Sequence, residues 1–455
     1  MPSEGRQMKL MLLSLGCDKN LVDSEMMTAA LSEAGFELTD EASEAEVIVV
    51  NTCSFIMDAK EESINALIEC GRMKEEGVCR VLIAAGCLAQ RYAAEIKEEL
   101  PEVDALVGTA SFDRIVEVAE AALKGQPFDA MEDMNRLVCG KRRLLSTGGH
   151  YAYLKIAEGC DKRCSYCAIP SFRGRYRSVP EEILVSEAET LAAGGVSELI
   201  VVAQETTVYG ADLYGKPSLP RLLKKLAAVD GLNWIRILYA YPEDIDDELI
   251  ELMATEKKIC PYLDLPIQHC EDRILKEMGR RSRKEELCAL IEKLRNRIPG
   301  IALRTSLITG FPGETEEEFE ALKSFVSEMR FDRLGAFAYS AEEGTKAALM
   351  PGQIPEELRA ERRDEIMRIQ SGIAEEISRG LVGKKLRCIV EGRLPEDDTL
   401  VLRSYRDAPD VDGYVFARCG RDIMSGTPVE VRITGCDGYD LTGVIEDGGD
   451  DEPSQ

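Results

Sequence analysis

Short apolar runs alternate with helical patterns over the first quarter of the chain. Continuous apolar runs of about five residues are typical of parallel strands buried on both faces. The predicted strands are Leu10–Leu15, Val47–Val50 and Val81–Ala85, with predicted helices at Ser24–Ala34 and Glu61–Met73. Because strands and helices alternate, this part of the chain predicts a doubly wound parallel sheet.

A second series of strand and helix patterns follows a polar, irregular stretch, Gly125–Gly149. Its strand-like segments are Tyr151–Ala157, Glu198–Ala203, Trp234–Tyr241, Tyr262–Ile267, Ile301–Thr309 and Leu334–Tyr339. Six strand–helix units predict a partial (βα)6 barrel, short of the eight units of a closed one. A long charged helix from Pro355 to about Arg379 comes next.

The pattern changes after Gly383. Short strands with alternating polar and apolar residues are joined there by Gly, Pro and Asp turns. This texture predicts a small all-β barrel.

Charge and cysteine content narrow the function classes. The chain has 455 residues, a net charge of −27, 15 Cys and only 2 His. Such acidity disfavours non-specific nucleic-acid binding and favours a basic partner. No apolar stretch approaches the ~20 residues that span a bilayer, so we expect no membrane insertion. An odd number of dispersed cysteines predicts reduced thiols in a cytoplasmic protein, where metal ligation is their commonest special role.

The strongest chemical signal is a Cys-x3-Cys-x2-Cys triplet just after the first predicted barrel strand, formed by Cys160, Cys164 and Cys167. Three thiolates in one loop hold three irons of a four-iron cluster and leave the fourth open to an outside ligand. A zinc site would need a fourth ligand, for which Cys139 and His150 are the nearest candidates. Three unrelated core thiols are the remaining alternative.

A dispersed second triplet lies in the first part of the chain. Cys17, Cys53 and Cys87 each follow the carboxyl end of a predicted strand. Such ends border the ligand crevice of a parallel sheet, and neighbouring strands lie only ~4.8 Å apart. We therefore expect these three thiols to converge as a second ligand set, although each alone would pass for an ordinary core cysteine.

Two further features have open interpretations. The basic run Arg173–Arg177 either contacts a carboxylate or the cluster surroundings, or it is a solvated loop. His269 either faces the barrel cavity or is a structural histidine.

The central triplet resembles that of the radical S-adenosylmethionine (SAM) enzymes in spacing and in its place at the end of a first barrel strand. In that family the open iron binds SAM, and an electron from the cluster releases a 5′-deoxyadenosyl radical that abstracts hydrogen from carbon. With its second triplet, the chain resembles the methylthiotransferases along nearly its whole length. The resemblance implies two 4Fe-4S clusters: one at Cys160, Cys164 and Cys167, and an auxiliary one at Cys17, Cys53 and Cys87.

This resemblance implies three domains. We expect a flavodoxin/Rossmann-like domain with the auxiliary cluster at residues 7–124, a TIM-like radical SAM core at 146–377, and a TRAM-like β-barrel at 379–449.

The segments that resemble the ribosomal-protein (RimO-type) branch are Ser14–Glu25, Tyr239–Pro242, Tyr262–His269, Gly310–Thr315, Glu343–Thr345 and Ala408–Gly413. This branch implies methylthiolation of an aspartate β-carbon in the twelfth small-subunit ribosomal protein, with an electron donor such as flavodoxin or ferredoxin. Residues 383–455 carry nine Lys+Arg and sixteen Asp+Glu, which suits a basic protein better than RNA.

Three alternatives stay open at this point. A transfer-RNA methylthiotransferase acting on a modified adenosine shares much of the pattern. An iron–sulfur scaffold or electron carrier would hold clusters without making radicals. A zinc-binding adaptor would hold no iron.

Overall fold

The computed structural model of the chain describes residues 7–395 and 397–446, so residues 447–449 of the expected third domain lie outside the described residues. Within those ranges, no helix combines the length and apolarity that a membrane span needs.

Five parallel strands form the first sheet, in the order β2-β1-β3-β4-β5. The strands are β1 (Lys9–Ser14), β2 (Glu37–Leu38), β3 (Val47–Thr52), β4 (Val81–Ala85) and β5 (Ala105–Val107). The helices are α1 (Asp18–Glu33), α2 (Met57–Glu76), α3 (Gly86–Arg91), α4 (Ala93–Glu99) and α5 (Ile115–Leu123). Every residue of β3 is buried, since apolar clusters cover both faces of the sheet. The doubly wound sheet is confirmed.

Six parallel strands form the second sheet, in the order β13-β12-β11-β10-β9-β6. Its strands are β6 (Tyr151–Lys155), β9 (Glu198–Val202), β10 (Trp234–Ile237), β11 (Ile259–Asp264), β12 (Ala302–Thr309) and β13 (Arg333–Ala338). Between β6 and β9 in the chain, β7 (Ala157–Glu158) and β8 (Arg177–Ser178) form a separate antiparallel pair. The sheet remains open between β6 and β13, which confirms the partial barrel.

Nine helices accompany this sheet within the described residues. They are α6 (Ile169–Arg173), α7 (Glu181–Ala193), α8 (Ala211–Tyr214), α9 (Leu219–Ala227), α10 (Asp247–Thr255), α11 (Asp272–Glu277), α12 (Lys284–Arg297), α13 (Glu316–Met329) and α14 (Glu356–Arg379). The predicted long helix is α14, with Pro355 as its N-cap. Because α14 ends at Arg379, the expected boundary between 377 and 379 falls in its last turn.

A closed five-stranded barrel follows, as the alternating pattern predicts. Its strands are β14 (Lys385–Arg393), β15 (Thr399–Ser404), β16 (Val415–Arg418), β17 (Pro428–Asp437) and β18 (Asp440–Glu446). Closure pairs every strand edge. All the pairs are antiparallel except β16 with β18, which is parallel, and aliphatic side chains fill the interior.

The segment after β15 attaches this barrel to the open sheet. The hydroxyl of Tyr151 donates to Asp410 at 2.9 Å, and that of Tyr262 donates to Asp412 at 2.7 Å. Ala408 belongs to the same apolar cluster as both tyrosines. The Ala408–Gly413 run therefore joins the barrel to the inner residues of β6 and β11.

Glu198 is a fully buried charge at this junction. Its two carboxylate oxygens accept from Arg236 Nε at 2.9 Å and from Arg403 Nη2 at 2.5 Å. All three side chains are fully buried. Although burial alone would raise the pKa of Glu198, the two guanidinium groups hold it below its ordinary value.

Replacing Glu198 by Ala leaves two buried guanidinium groups without their carboxylate, so we expect the free energy of unfolding to fall by about 3–5 kcal/mol. Trp234 is the single tryptophan and is buried beside Arg236, so its fluorescence during urea unfolding reports on this junction. Glu430→Ala, at an exposed position of β17, serves as the control and should change stability by no more than about 0.5 kcal/mol. Equal stability of the two variants would contradict the proposed role of Glu198.

Candidate metal centres

Cys17, Cys53 and Cys87 lie at the carboxyl edge of three adjacent strands. Cys17 is the N-cap of α1 after β1, Cys53 directly follows β3, and Cys87 is in the first turn of α3 after β4. The strands β1, β3 and β4 are consecutive neighbours in the sheet. The structure therefore brings the three thiols to one edge.

The backbone at Gly16 shows how closely two of these loops approach. Gly16 has a φ of +90°, and a Cβ added there would lie 2.7 Å from Cys53 Cβ and 2.9 Å from Cys53 Sγ. Only glycine combines this conformation with this space. The loop that carries Cys17 is thus pressed against Cys53.

The side chain of Asn20 ties the three loops together. Its Nδ2 donates to Leu15 O and to Thr52 O, both at 3.0 Å. Its Oδ1 lies 3.6 Å from Cys87 Sγ. Because Asn20 is fully buried, these hydrogen bonds hold the three loops in fixed positions relative to one another.

The central triplet of Cys160, Cys164 and Cys167 occupies the loop between β7 and α6. Cys160 N donates to Gly174 O at 3.2 Å, and Cys164 Sγ lies 3.5 Å from the hydroxyl of Tyr241. Ser165 anchors the middle of the loop, since its N–H donates to Met278 O at 2.9 Å and its carbonyl accepts from Ala347 N at 2.8 Å.

Burial dominates the electrostatics of the thiols. It raises the pKa of Cys87, Cys160 and Cys167 to about 12. Neighbouring cysteines of the same triplet raise it further, which reflects their proximity. With this pKa the thiols of Cys87, Cys160 and Cys167 are protonated at neutral pH, so metal binding must displace their protons.

Arg173, at the end of α6, connects the two triplets. Its Nε donates to Cys87 Sγ at 3.2 Å, and Nη2 donates to Asn20 Oδ1. Cys87 also packs against Ala168 and Phe172 of the same short helix. The helix that follows Cys167 therefore packs against the dispersed triplet at Cys87.

Two carboxylates balance the charge of Arg173. Its Nη1 donates to Asp23 Oδ2 at 2.9 Å and to Glu158 Oε2 at 3.2 Å. Lys155 Nζ donates to both carboxylates, with 2.8 Å to Glu158. Burial would raise the pKa of Glu158, but the two cations hold it well below its ordinary value. This four-residue ion network joins α1 of the first domain to β6, β7 and α6 of the second.

The donor sets fit iron–sulfur clusters better than a single metal ion. Among the described residues, no three His, Cys, Asp or Glu side chains surround one point closely enough to hold one ion. In a cluster each thiolate binds a different iron, so the sulfurs need not meet at one point. Each triplet supplies three buried or half-buried thiols and no disulfide competes for them.

The candidates for a fourth zinc ligand lie elsewhere. His150 Nε2 is 3.0 Å from Glu391 of the terminal barrel. The charges that act on Cys139 are those of Glu187, Lys155 and Lys141. The structure brings neither residue to the central triplet.

Within the basic run Arg173–Arg177, one arginine is buried near a cysteine triplet and another is exposed to solvent. Arg173 is 2% exposed and contacts Cys87 of the dispersed triplet, whereas the side chain of Arg175 is 81% exposed. His269 is fully buried, with Nε2 3.4 Å from Glu314 and Nδ1 accepting from Glu271 N at 3.0 Å. These contacts give His269 a structural role.

Sequence reasoning missed Asn20, Tyr239 and Tyr241 as site residues. The hydroxyl of Tyr239 donates to Asp18 at 3.2 Å beside Cys17, and Tyr241 contacts Cys164. The available signal was the Tyr239–Pro242 segment at the end of a barrel strand, where barrel active sites lie.

Replacing Arg173 by Met should loosen the junction of the two triplets. The change leaves Lys155 as the one cation bonded to Asp23 and Glu158, and breaking a buried ion pair costs about 3–5 kcal/mol. We expect amide hydrogens of α6 and of the first turns of α1 to exchange at least about tenfold faster. Arg175→Met, two positions along but exposed, is the control. Unchanged exchange in the Arg173 variant would show that the network does not hold the two regions together.

Comparisons with known proteins agree with this architecture. Residues 9–108 match the Uncharacterized protein family UPF0004, residues 154–326 match the Radical SAM superfamily, and residues 382–445 match the TRAM domain. The solved radical SAM methyltransferase TsrM from Kitasatospora setae has a TM-score of 0.53 at 17% identity, covering 73% of each chain. At that identity the likeness shows the shared fold.

Two curated relatives cover nearly the whole chain. The ribosomal protein uS12 methylthiotransferase RimO of Lachnoclostridium phytofermentans is 57% identical over 96% of this chain and 100% of the relative. That of Symbiobacterium thermophilum is 49% identical over 96% of this chain and 91% of the relative. The resemblance inferred from the motifs is thereby confirmed: the chain belongs to the ribosomal protein uS12 methylthiotransferase (RimO) family of radical SAM enzymes.

Proposed function

We propose that this chain transfers a methylthio group to the β-carbon of an aspartate of ribosomal protein uS12. Family membership supports the reaction and the protein substrate. The observation that carries the proposal is the hydrogen bond from Arg173, on the helix that follows the central triplet, to the sulfur of Cys87 in the other triplet.

Cys160, Cys164 and Cys167 are proposed to hold the 4Fe-4S cluster that binds SAM. When bound, this cluster with SAM supplies a carbon-centred radical able to remove hydrogen from an unactivated carbon. The chain's own residues fix the loop through Ser165 and shield it through burial of Cys160 and Cys164. Tyr241, 3.5 Å from Cys164 Sγ, provides a hydroxyl beside the ligand sulfur.

Cys17, Cys53 and Cys87 are proposed to hold the auxiliary 4Fe-4S cluster, where the transferred sulfur is supplied. Arg173 donates to the sulfur of Cys87, and hydrogen bonds to ligand sulfurs tune such a cluster. Asn20 keeps the three loops in register. The helix that follows the central triplet packs against Cys87 through Ala168 and Phe172, which brings the two domains together at this triplet.

Charge supports a basic protein partner. The chain carries a net charge of −27, and residues 383–455 contribute −7 of it. Complementary charge steers association with a basic ribosomal protein. A transfer-RNA substrate is disfavoured because the curated relatives described above are named for uS12. A low-potential electron donor such as flavodoxin or ferredoxin is part of this proposal.

We also propose the domain division 7–124, 146–377 and 379–449. The strand order within each sheet supports it, since no sheet or barrel mixes strands from two of these ranges.

Cluster content tests the ligand assignment. After anaerobic reconstitution, Cys160→Ala and Cys53→Ala should each lose about half of the iron and sulfide of the unaltered protein, because each removes one ligand from a different cluster. Cys70→Ala is the matched control, since Cys70 is a buried thiol of the first domain outside the triplet. Loss of iron in the Cys70 variant, or full iron content in the Cys53 variant, would refute the assignment.

Substrate identity is tested in a strain that lacks the gene. Mass spectrometry should show uS12 lighter by about 46 Da, the mass added when SCH₃ replaces H, with transfer RNA unchanged. Restoring the gene should restore the mass. A change in transfer RNA alone would refute the proposed function.

A further inference from the structure

Lys19 and Tyr239 meet beside Cys17. Lys19 comes two positions after Cys17, in the first turn of α1. Tyr239 comes two positions after the end of β10, and Tyr241 of the same segment contacts Cys164. The Tyr239–Tyr241 segment therefore contacts the surroundings of Cys17 through Tyr239 and the central triplet through Tyr241.

The ammonium group of Lys19 is buried and sparsely bonded. Its Nζ lies 3.4 Å from the centre of the Tyr239 ring and 2.8 Å from Asp18 Oδ1. Only 8% of the Lys19 side chain is exposed. An ammonium group has three donors, and one carboxylate with one ring face leaves donor capacity for a further anion.

The backbone at Tyr239 is held in an uncommon conformation. Its φ is +59°, which non-glycine residues rarely adopt. Its N–H donates to Asp264 Oδ2 at 3.0 Å, and its carbonyl accepts from Thr206 N at 3.1 Å. These bonds hold the strained turn that presents the ring to Lys19, and such strain concentrates at functional sites.

Asp18 shows which ligand this pair accepts. Its carboxylate receives a hydrogen bond from the Tyr239 hydroxyl at 3.2 Å and the ion pair from Lys19. The ligand is thus an aspartate side chain, supplied by the chain itself. Asp18 sits beside Cys17, next to the place where the substrate carbon must lie.

We propose that Lys19 and Tyr239 form the binding site for the carboxylate of the substrate aspartate, and that Asp18 occupies it until substrate displaces it. This inference rests on the proposed function, because it assumes an aspartate substrate. Holding the carboxylate fixes the adjacent β-carbon between the two triplets, which is the positioning that the transfer requires. Lys19 and Tyr239 act as specificity-determining residues, and Asp18 acts as an internal competitor.

The competitor role predicts opposite effects of two substitutions on the same ion pair. With reconstituted enzyme and purified uS12, Lys19→Met should raise KM at least about tenfold, since a charge-assisted contact to substrate is lost. Asp18→Asn should lower KM, since the competing charge is removed. Lys19→Arg should recover part of the loss. A purely structural pair would make both Lys19→Met and Asp18→Asn harmful, and that result would overturn the inference.

Equilibrium binding supplies a readout independent of turnover. Calorimetry would compare uS12 with its variant in which the target aspartate is Asn. The unaltered enzyme should prefer the aspartate form, and Lys19→Met should abolish the preference. Lys74→Met is the matched control, because Lys74 also pairs with one carboxylate, Asp104 at 2.6 Å, but on α2; it should keep the preference.

Failure of the two claims is distinguishable. If the unaltered enzyme leaves uS12 unmodified, the proposed function fails and the carboxylate site falls with it. If the unaltered enzyme modifies uS12 while Lys19→Met retains both KM and the aspartate preference, only the carboxylate site is overturned.

Discussion

The buried guanidinium of Arg173 is the contact on which the relation between the two cysteine triplets depends. It reaches from α6, directly after the central triplet, to the sulfur of Cys87 and the amide of Asn20. Asp23 and Glu158 balance it from the two domains. Because a guanidinium is planar and presents its donors in a fixed fork, it sets orientation as well as distance. Chemistry that needs both triplets at once depends on this geometry.

The rest of the fold serves to bring these loops together. Parallel strands place all their carboxyl ends on one edge, so the loops that follow the strands of a sheet lie together at that edge. The second sheet also binds the terminal barrel, since residues after β15 accept hydrogen bonds from Tyr151 of β6 and Tyr262 of β11. The barrel is held by the fully buried Glu198 with two arginines. Ionic contacts thus hold each junction together with one apolar cluster that includes residues of all three domains.

Three of the five strands of the first sheet and all six of the second could be predicted from sequence, because their apolar runs are continuous. The two missed strands, β2 and β5, have only two and three residues, too few for such a run. The strand Val81–Ala85 agrees at both ends, and the six strands of the open barrel all occur. The predicted ends of strands and helices were wrong where local backbone conformation or site contacts override the apolar pattern. The predicted strand Trp234–Tyr241 ends at Ile237, because Tyr239 turns to positive φ. Helix α1 begins at Asp18 rather than Ser24, because polar residues in its first turns carry site contacts instead of an apolar stripe.

Both triplets could be proposed from spacing and strand position, but their surroundings could not. Arg173 and Cys87 are 86 residues apart, and no local pattern distinguishes Arg173 from the exposed Arg175. The run Ala408–Gly413 was informative as a family signature, yet only the structure shows that it contacts Tyr151 and Tyr262. Tertiary contacts of this kind have no periodicity for sequence reasoning to detect.

The central claim is that two iron sites face each other across the Arg173 contact. An anaerobic crystal structure of the reconstituted protein, with data collected at the iron absorption edge, tests it most directly. The account predicts two iron peaks, one bounded by Cys160, Cys164 and Cys167 and the other by Cys17, Cys53 and Cys87, with Arg173 bonded to the Cys87 sulfur. A single iron peak, or a second peak ligated by other cysteines, would contradict it.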